Sequence, residues 1–310
     1  MSDTPSEIEY VVTDPLANER VDRVISFFSG LSRSKVMELV NDGLVKKNEI
    51  PVKKGSERTS RGDVLLFPNP EGMVSNKLEP DSSVDFSVIF EDDHIVVVNK
   101  PPGVVVHPGS GRENGTLVNG LLARYPEMKG IGEENRLGLV HRLDKGTSGL
   151  LLVARTDDAL ENLKNQMENR EIGRQYYAIV CGHLSSAKGL IEAPLGRDPK
   201  NPLRRAVTQD GKDARTHYKI KERYDHPIKV TVVECILETG RTHQIRAHFS
   251  AINHPVLGDR IYGGKQLAHK EIRPALHAEK IDFVHPATGK KLSFVSNLPT
   301  DLVQIIESFS

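Results

Sequence analysis

The chain has no tryptophan and only two cysteines among its 310 residues. Cys181 and Cys235 are too few for a disulfide framework or a zinc site, which points to a reducing, cytoplasmic setting. No apolar run approaches the ~20 residues needed to cross a bilayer. The opening MSDTPSEIEY lacks the basic and apolar regions of a secretory leader. There is no GxxxxGK[ST], so no P-loop. The segment GSGRENG (Gly109 to Gly115) lacks both the GxGxxG spacing and a strand–turn–helix setting, which argues against a dinucleotide site. No HExxH occurs, and of twelve histidines only His243 and His248 share a helical stretch, so no metal is expected. Thr147-Ser148-Gly149 is not a GxSxG nucleophile elbow. What remains is a reaction without cofactor or metal, run by a carboxylate.

Net charge is also missing, since 42 Lys and Arg balance 42 Asp and Glu. The distribution is uneven. Residues 1–19 hold five acidic and no basic residues, whereas Arg33 to Arg61 holds eight basic against four acidic. Arg197 to Arg223 holds nine against four. Local patches, not the total, govern binding to phosphate. A solvated charged face is the plainer explanation for either stretch taken alone.

Along the chain, ERVDRVISFFSGLSRSKVMELVNDGLVKKN predicts two short helices. Val21, Val24, Ile25 and Phe28 recur at helical spacing before Gly30. Ser32 or Ser34 can cap a second helix carrying Val36, Leu39 and Val40. Short strands are expected around Val45, Val52 and DVLLF, followed by the Pro/Gly/Ser linker PNPEGMVSNKLEPDSS. A domain boundary therefore falls near residue 80. Beyond it come two β-rich runs in VDFSVIFEDDHIVVVNKPPGVVVHP, a short helix in TLVNGLLARY and a longer one in DDALENLKNQMENREI. A strand in QYYAIVCG, long strands near 214–222 and 229–238, and a helix from about Thr242 follow. Strands and helices mix without βαβ alternation, which predicts an α+β fold with a mixed, largely antiparallel sheet.

One stretch concentrates the chemistry. LGLVHRLDKGTSGLLLVAR (Leu137 to Arg155) packs His141, Arg142, Asp144 and Lys145 between two apolar runs. A carboxylate with a cation within ~4–6 Å stays ionised at neutral pH. That suits attack on a sugar or base carbon better than strong proton abstraction. A second basic motif, ETGRTHQIRAH, offers Arg241 at the head of a helix, and arginine clamps carboxylates bidentately. An ordinary buried ion pair explains Asp144 and Arg241 equally well on these grounds. A glycoside hydrolase would want two carboxylates across the bond, and the motif offers one among cations. A non-catalytic RNA-binding protein is the other alternative.

HRLDKGTSGLLLVAR resembles the signature of the RluA/RluD-type pseudouridine synthases, which isomerise uridine in RNA. NKPPGVVVHP, GTLVNGLL, RQYYAIVCG, GKDARTHY, ETGRTHQIRAHFSAINHPVLGDRIYG, ALHAEKIDFVHPATG and NLPTDL follow in the family's order, from about Phe86 to Pro299. RVDRVISFFSGLSRSKVMELVNDGLVKKN resembles the small RNA-binding domain named for ribosomal protein S-four. Here Asn48-Glu49 replaces the usual Asn-Gly, and Gly146 stands where the signature commonly has Asp.

The resemblance implies a pseudouridine synthase fold preceded by a small α/β RNA-binding domain. The division is an acidic tail at 1–17, the S-four-type domain with linker at 18–80, and the catalytic domain at 81–310. It implies Asp144 as the catalytic aspartate and Tyr176, rather than Tyr177, as the tyrosine stacking on the base and serving proton transfer. Arg241 is implied as the partner of the aspartate, and Arg142 as the residue entering the RNA helix when the target base leaves it. Arg33, Lys35, Lys46 and Lys47 are the RNA-binding candidates of the first domain. The expected partner is RNA, most of all large-subunit ribosomal RNA, for a cytoplasmic, membrane-independent monomer without cofactor. Sugar attack, base attack and a glycal route all remain open for Asp144.

Overall fold

Apolar residues at helical and alternating spacing build two compact units, Met1–Lys77 and Leu78–Ser310. The computed structural model describes residues 7–29, 31, 33–69, 78–108, 114–132, 136–199, 201, 204–267 and 271–310, without the side chains at 15, 27, 33 and 34. Gly30, Ser32, the side chain of Ser34, most of the linker and most of GSGRENG therefore lie outside the described residues.

The first unit begins with β1 (Glu7–Val11), followed by helices α1 (Val21–Ser29) and α2 (Arg33–Asn41). Strands β2 (Lys46–Lys47), β3 (Ile50–Pro51) and β4 (Val64–Pro68) complete an antiparallel sheet in the order β1-β4-β2-β3. Val21, Val24 and Ile25 of α1 and Val36, Leu39 and Val40 of α2 are buried against Leu65 and Phe67. Phe28 stays 43% exposed and stacks on Tyr10. The segment read as an acidic tail is not one over residues 7–11, which form β1 against the whole of β4. Ile8, Tyr10 and Val12 alternate with Glu7, Glu9 and the exposed Val11, a half-buried strand pattern that the charge count conceals. Asn48 and Glu49 make the two-residue turn between β2 and β3, both with positive φ, at 51° and 67°. The turn survives without glycine because Asn48 accepts from Val64 N at 2.8 Å and donates to Asp63 Oδ1 at 2.8 Å.

The second unit is built on a nine-stranded sheet. Its strands are β5 (Ser87–Glu91), β6 (Ile95–Lys100), β7 (Ser148–Ala154), β8 (Gly173–Cys181) and β9 (Lys188–Glu192). After a separate hairpin of β10 (Leu195–Arg197) and β11 (Arg205–Val207) come β12 (Arg215–Tyr224), β13 (Val230–Leu237), β14 (Leu276–Val284) and β15 (Lys291–Val295). The order is β5-β6-β7-β14-β8-β13-β12-β9, with β15 also on β14. Among the described strands only β14 and β7 run parallel, so the sheet is mixed and largely antiparallel. Helices α3 (Leu117–Arg124) and α4 (Asp157–Glu168) pack Leu117, Leu121, Leu160 and Leu163 into the main core. Helix α6 (Thr300–Glu307) seals Leu302 and Ile305 against Ile179, Val230 and Val232 in a second core. Helix α5 (Gln244–Ala251) carries the second basic motif. Among the described residues no helix is long and apolar enough to cross a membrane.

Candidate active site

The segment from Leu137 to Thr147 turns back along β7. Gly138 O accepts from Ala154 N at 2.9 Å, Leu139 bridges Val153, and His141 Nε2 accepts from Leu152 N at 3.0 Å. A Cβ on Gly138 would sit 2.1 Å from Ala154 O, so only glycine permits this approach. The return leaves Asp144 at the apex of a turn closed by Thr147 N on Asp144 O at 3.0 Å. The two apolar runs flanking the motif are thus the two sides of one fold-back.

Two distant cations hold that apex. Lys100, wholly buried at the end of β6, donates to the carbonyls of Pro101 (2.8 Å), Val104 (3.0 Å) and Lys145 (3.5 Å). Burial, with Arg273 nearby, pulls its ammonium down to about 7, while Asp144 pulls the other way. Arg273 forks onto Asp301 at 2.6 and 3.1 Å and also donates to Gly146 O at 3.0 Å and Ser148 Oγ at 3.1 Å. Lys100 lies in the quoted motif NKPPGVVVHP, but its tie to the turn, like that of Arg273, is not legible locally because the bonds span 45 and more than 120 residues.

Asp144 Oδ2 accepts from Arg246 Nη1 at 3.0 Å, and Oδ1 lies 3.9 Å from His243 Nε2. Arg246, not Arg241, is therefore the arginine paired with the aspartate. Arg241 sits in the turn before α5, where its Nε donates to Asp213 O at 2.9 Å; Arg246 lies inside the first turn of the helix. The rest of the Arg246 guanidinium clamps Asp259 at 2.5 and 2.9 Å, and its carbon lies 5.0 Å from the Tyr262 ring centroid. Burial opposes its charge, but Asp259 and Asp144 together raise its pKa. The helix is docked by the buried Gln244, which accepts from Thr239 Oγ1 and Arg241 N and donates to Arg215 O and Thr216 Oγ1. His243 precedes it with φ of 58°, a left-handed conformation that histidine tolerates better than most residues.

Tyr176 and Arg174 come from β8, on one face because side chains alternate along a strand. Tyr177 points to the other face and packs in the core sealed by α6. Burial raises the Tyr176 pKa, Arg174 opposes this and Asp144 adds to it, so the side chain is a neutral phenol. Arg174 is 6% exposed, and its side chain, with a buried unpaired Nε, makes no hydrogen bond or ion pair among the described residues. Burial lowers its pKa, Tyr176 counters that, and Arg241 adds like-charge repulsion. His141 Nδ1 is likewise buried without a partner, and burial, then Arg174, pulls the ring down to about 3. Arg142 is exposed at the mouth, with Nη1 3.2 Å from His107 Nε2.

These groups line one cleft of about 390 Å³, within the usual range for small-ligand sites. Asp144, Tyr176, Arg142 and Arg241 all border it, together with Arg136, His141, Arg174, His243 and Arg246. Leu139, Leu143, Met167, Leu237 and Leu276 supply apolar walls. A carboxylate held by one oxygen, a neutral phenol and an excess of guanidinium suit an electron-rich planar substrate attached to phosphates. Among the described residues no group of three or more His, Cys, Asp or Glu is placed to hold a metal.

In the first unit, Lys35 pairs with Glu38 at 2.8 Å. Lys46 lies 4.0 Å from Glu7, and Lys47 lies 4.0 Å from Asp63 while donating to Arg58 O at 3.0 Å. The Lys35 and Lys46 pairs are exposed and therefore weak, whereas Lys47 and Asp63 are partly buried. The side chain of Arg33 lies outside the described residues.

A family model described as RNA pseudouridylate synthase matches residues 94–251. The chain is 42% identical over 305 residues to an uncharacterized RNA pseudouridine synthase of Bacillus subtilis, YlyB, covering 98% of both chains. It is 39% identical over 308 residues to ribosomal large subunit pseudouridine synthase D of Xylella fastidiosa, covering 95% of this chain and 90% of that one. Among solved structures, human RNA pseudouridylate synthase domain containing 1 superposes with a TM-score of 0.58 at 27% identity, over 75% of this chain and 91% of that one.

Proposed function

The chain belongs to the RNA pseudouridylate synthase family, and from that membership we propose that it isomerises specific uridines of large-subunit ribosomal RNA with Asp144 as the catalytic carboxylate. Relatives named for the ribosomal large subunit support the choice of RNA. The observation that carries the assignment of Asp144 is its position. It lines the cleft with one oxygen fixed by the buried Arg246 and the other, 3.9 Å from His243 Nε2, without a hydrogen bond among the described residues.

The reaction breaks the N1–C1′ glycosidic bond, turns the uracil and bonds C5 to the same C1′. The C5 proton leaves and N1 gains one, so atoms balance without oxidant or cofactor. The target base must first leave the stack, which costs a few kcal/mol; insertion of Arg142 and stacking on Tyr176 offset part of that. Arg246 orients the carboxylate, and the neutral Tyr176 hydroxyl serves the proton transfer at C5. The first unit adds affinity through Arg33, Lys35, Lys46 and Lys47, in the manner of an S-four-type domain, in a cytoplasmic enzyme that works as a monomer.

Tritium release from RNA carrying uridine tritiated at C5 tests the chemistry. Asp144→Asn abolishes release while RNA binding persists; release within tenfold of wild type refutes the assignment. Pseudouridine mapping of ribosomal RNA from a deletion strain identifies the uridines, and an unaltered large-subunit map refutes the substrate.

A further inference from the structure

We propose that Arg174 and His141 form a receptor for a uracil carbonyl oxygen, binding the flipped base and stabilising the negative charge that gathers on it during isomerisation. The proposal rests on the uridine-isomerising reading of the cleft.

Arg174 is 6% exposed, yet no carboxylate, carbonyl or hydroxyl among the described residues accepts from it, and its Nε is orphaned. The other buried cations around the site are all partnered: Lys100 by three carbonyls, and Arg246 by two carboxylates. A buried cation without a partner costs several kcal/mol, and folds retain one where a ligand completes it. His141 supplies a second donor. Its Nε2 accepts from Leu152 N, so the neutral ring carries its proton on Nδ1, and that buried N–H also lacks a partner among the described residues. Both groups line the cleft that contains Asp144 and Tyr176. The fold makes room for the guanidinium, because a Cβ on Gly240 would lie 2.5 Å from Arg174 Nη1.

Two donors without partners among the described residues, lining the same cleft, call for an oxygen with high electron density. Arg174 and Tyr176 are two residues apart on the same strand face, about 6.6 Å along it. A ring lying on Tyr176 therefore presents its edge to Arg174. Each route open to Asp144 makes that edge anionic. When C1′–N1 breaks, by sugar attack or on the way to a glycal, the electron pair goes to the base and spreads over N1 and its carbonyl oxygens. When the carboxylate adds to the base instead, the ring carries an enolate. In every case the charge falls to zero once C5 bonds C1′, the C5 proton leaves and N1 is protonated. A fixed buried guanidinium aimed at a transient anion acts as an oxyanion hole does.

The test uses the full chain and a large-subunit ribosomal RNA transcript tritiated at uridine C5. Arg174→Met lowers the single-turnover rate roughly 100- to 1000-fold, with RNA Kd within about threefold of wild type, and Tm is unchanged or raised, because an unpaired buried cation is gone. Arg174→Lys retains part of the rate. In the wild type, sulfur in place of the contacted carbonyl oxygen of the target uridine slows turnover; in Arg174→Met it slows turnover no further. A rate within threefold of wild type overturns the proposal. So does a Kd loss equal to the rate loss, which assigns Arg174 to the RNA backbone, or a Tm drop that Arg174→Lys reverses without restoring rate, which makes it structural. If the wild type releases no tritium, the uridine reading itself fails. The receptor is then judged by uracil alone, through the ¹⁵N-labelled Arg174 Nε–H signal: a shift with millimolar uracil supports it, and no shift overturns it.

Discussion

Replacing Arg246 by methionine removes three charge-assisted hydrogen bonds at once, two to Asp259 and one to Asp144. The two carboxylates respond differently. Asp259 is 1% exposed and, among the described residues, keeps only the backbone N–H of Tyr262, so it becomes an uncompensated buried charge. Breaking a buried pair in this way costs about 3–5 kcal/mol. At roughly 2–4 °C per kcal/mol for a unit of this size, the catalytic unit should melt about 6–20 °C lower. Adding Asp259→Asn removes the stranded charge while keeping an acceptor for Tyr262 N, so the double variant should recover at least half of the loss. Activity should behave otherwise. Asp144 has lost its orienting donor in both variants, and tritium release should stay roughly 100- to 1000-fold down in each. Calorimetry of the full chain, in which the two units can melt separately, reads the first quantity, and single-turnover kinetics the second. A single variant melting within 2 °C of wild type would refute the buried triad. A double variant that regains activity along with stability would show that Arg246 serves only the fold.

Three further outcomes are expected. Tyr176→Phe should slow tritium release while sparing RNA affinity, whereas Tyr177→Phe, on the far sheet face, should be silent; the reverse result would move the catalytic ring. Glu49→Gly should raise the Tm of the first unit, since relief of a left-handed residue, about 1–2 kcal/mol, exceeds the added chain entropy of glycine, about 0.5–1 kcal/mol; an unchanged or lower Tm would show that Asn48 carries the turn alone. His141, held at about 3 against an ordinary 6.5, binds its proton more readily unfolded, so folding stability should fall as pH drops from 6.5 toward 3, by up to roughly 5 kcal/mol at the limit, and should be flat above. Urea titrations of wild type and His141→Asn from pH 7 to 4 check this, and equal slopes would refute it.

How much of this was legible in the sequence depended on the reach of each interaction. The α+β class and the two short helices of the first unit follow from local pattern, and the structure bears them out; the segment around Asp144 stood out by the charges packed into it. Strand β1 was legible in principle, because Ile8, Tyr10 and Val12 alternate; counting charge rather than period hid it. Removing residues 1–17 would not trim a solvated tail but would strip the edge strand that covers all of β4, so such a chain cannot serve as a neutral control for RNA binding. The other boundary shifts for a similar reason. Asn119 Nδ2 donates to Glu79 O at 2.8 Å and Leu78 packs on the main core, so a catalytic fragment has to begin at Leu78 rather than at residue 81.

The arginine that pairs with Asp144 marks where local pattern stops. ETGRTHQIRAH contains two candidates five residues apart, and both reach the same cleft. What separates them is the helix start, fixed by Gln244 on Thr239 and Thr216, and the position of Asp259, thirteen residues beyond Arg246. An arginine facing two carboxylates has to sit where its fork and its remaining nitrogen diverge. Inside the first turn of α5 that geometry is met; in the preceding turn the side chain is drawn to the carbonyl of Asp213 instead. Arg174 was readable by a simpler rule. In RQYYAIV a strand places every second residue on one face, so once Tyr176 was assigned to the cleft its neighbour had to be Arg174 and not Tyr177. The sequence could place that cation beside Tyr176, but not show that its side chain lacks a partner among the described residues. That follows only when every acceptor within reach has been accounted for, and it is what turns a basic residue on a strand into a candidate receptor.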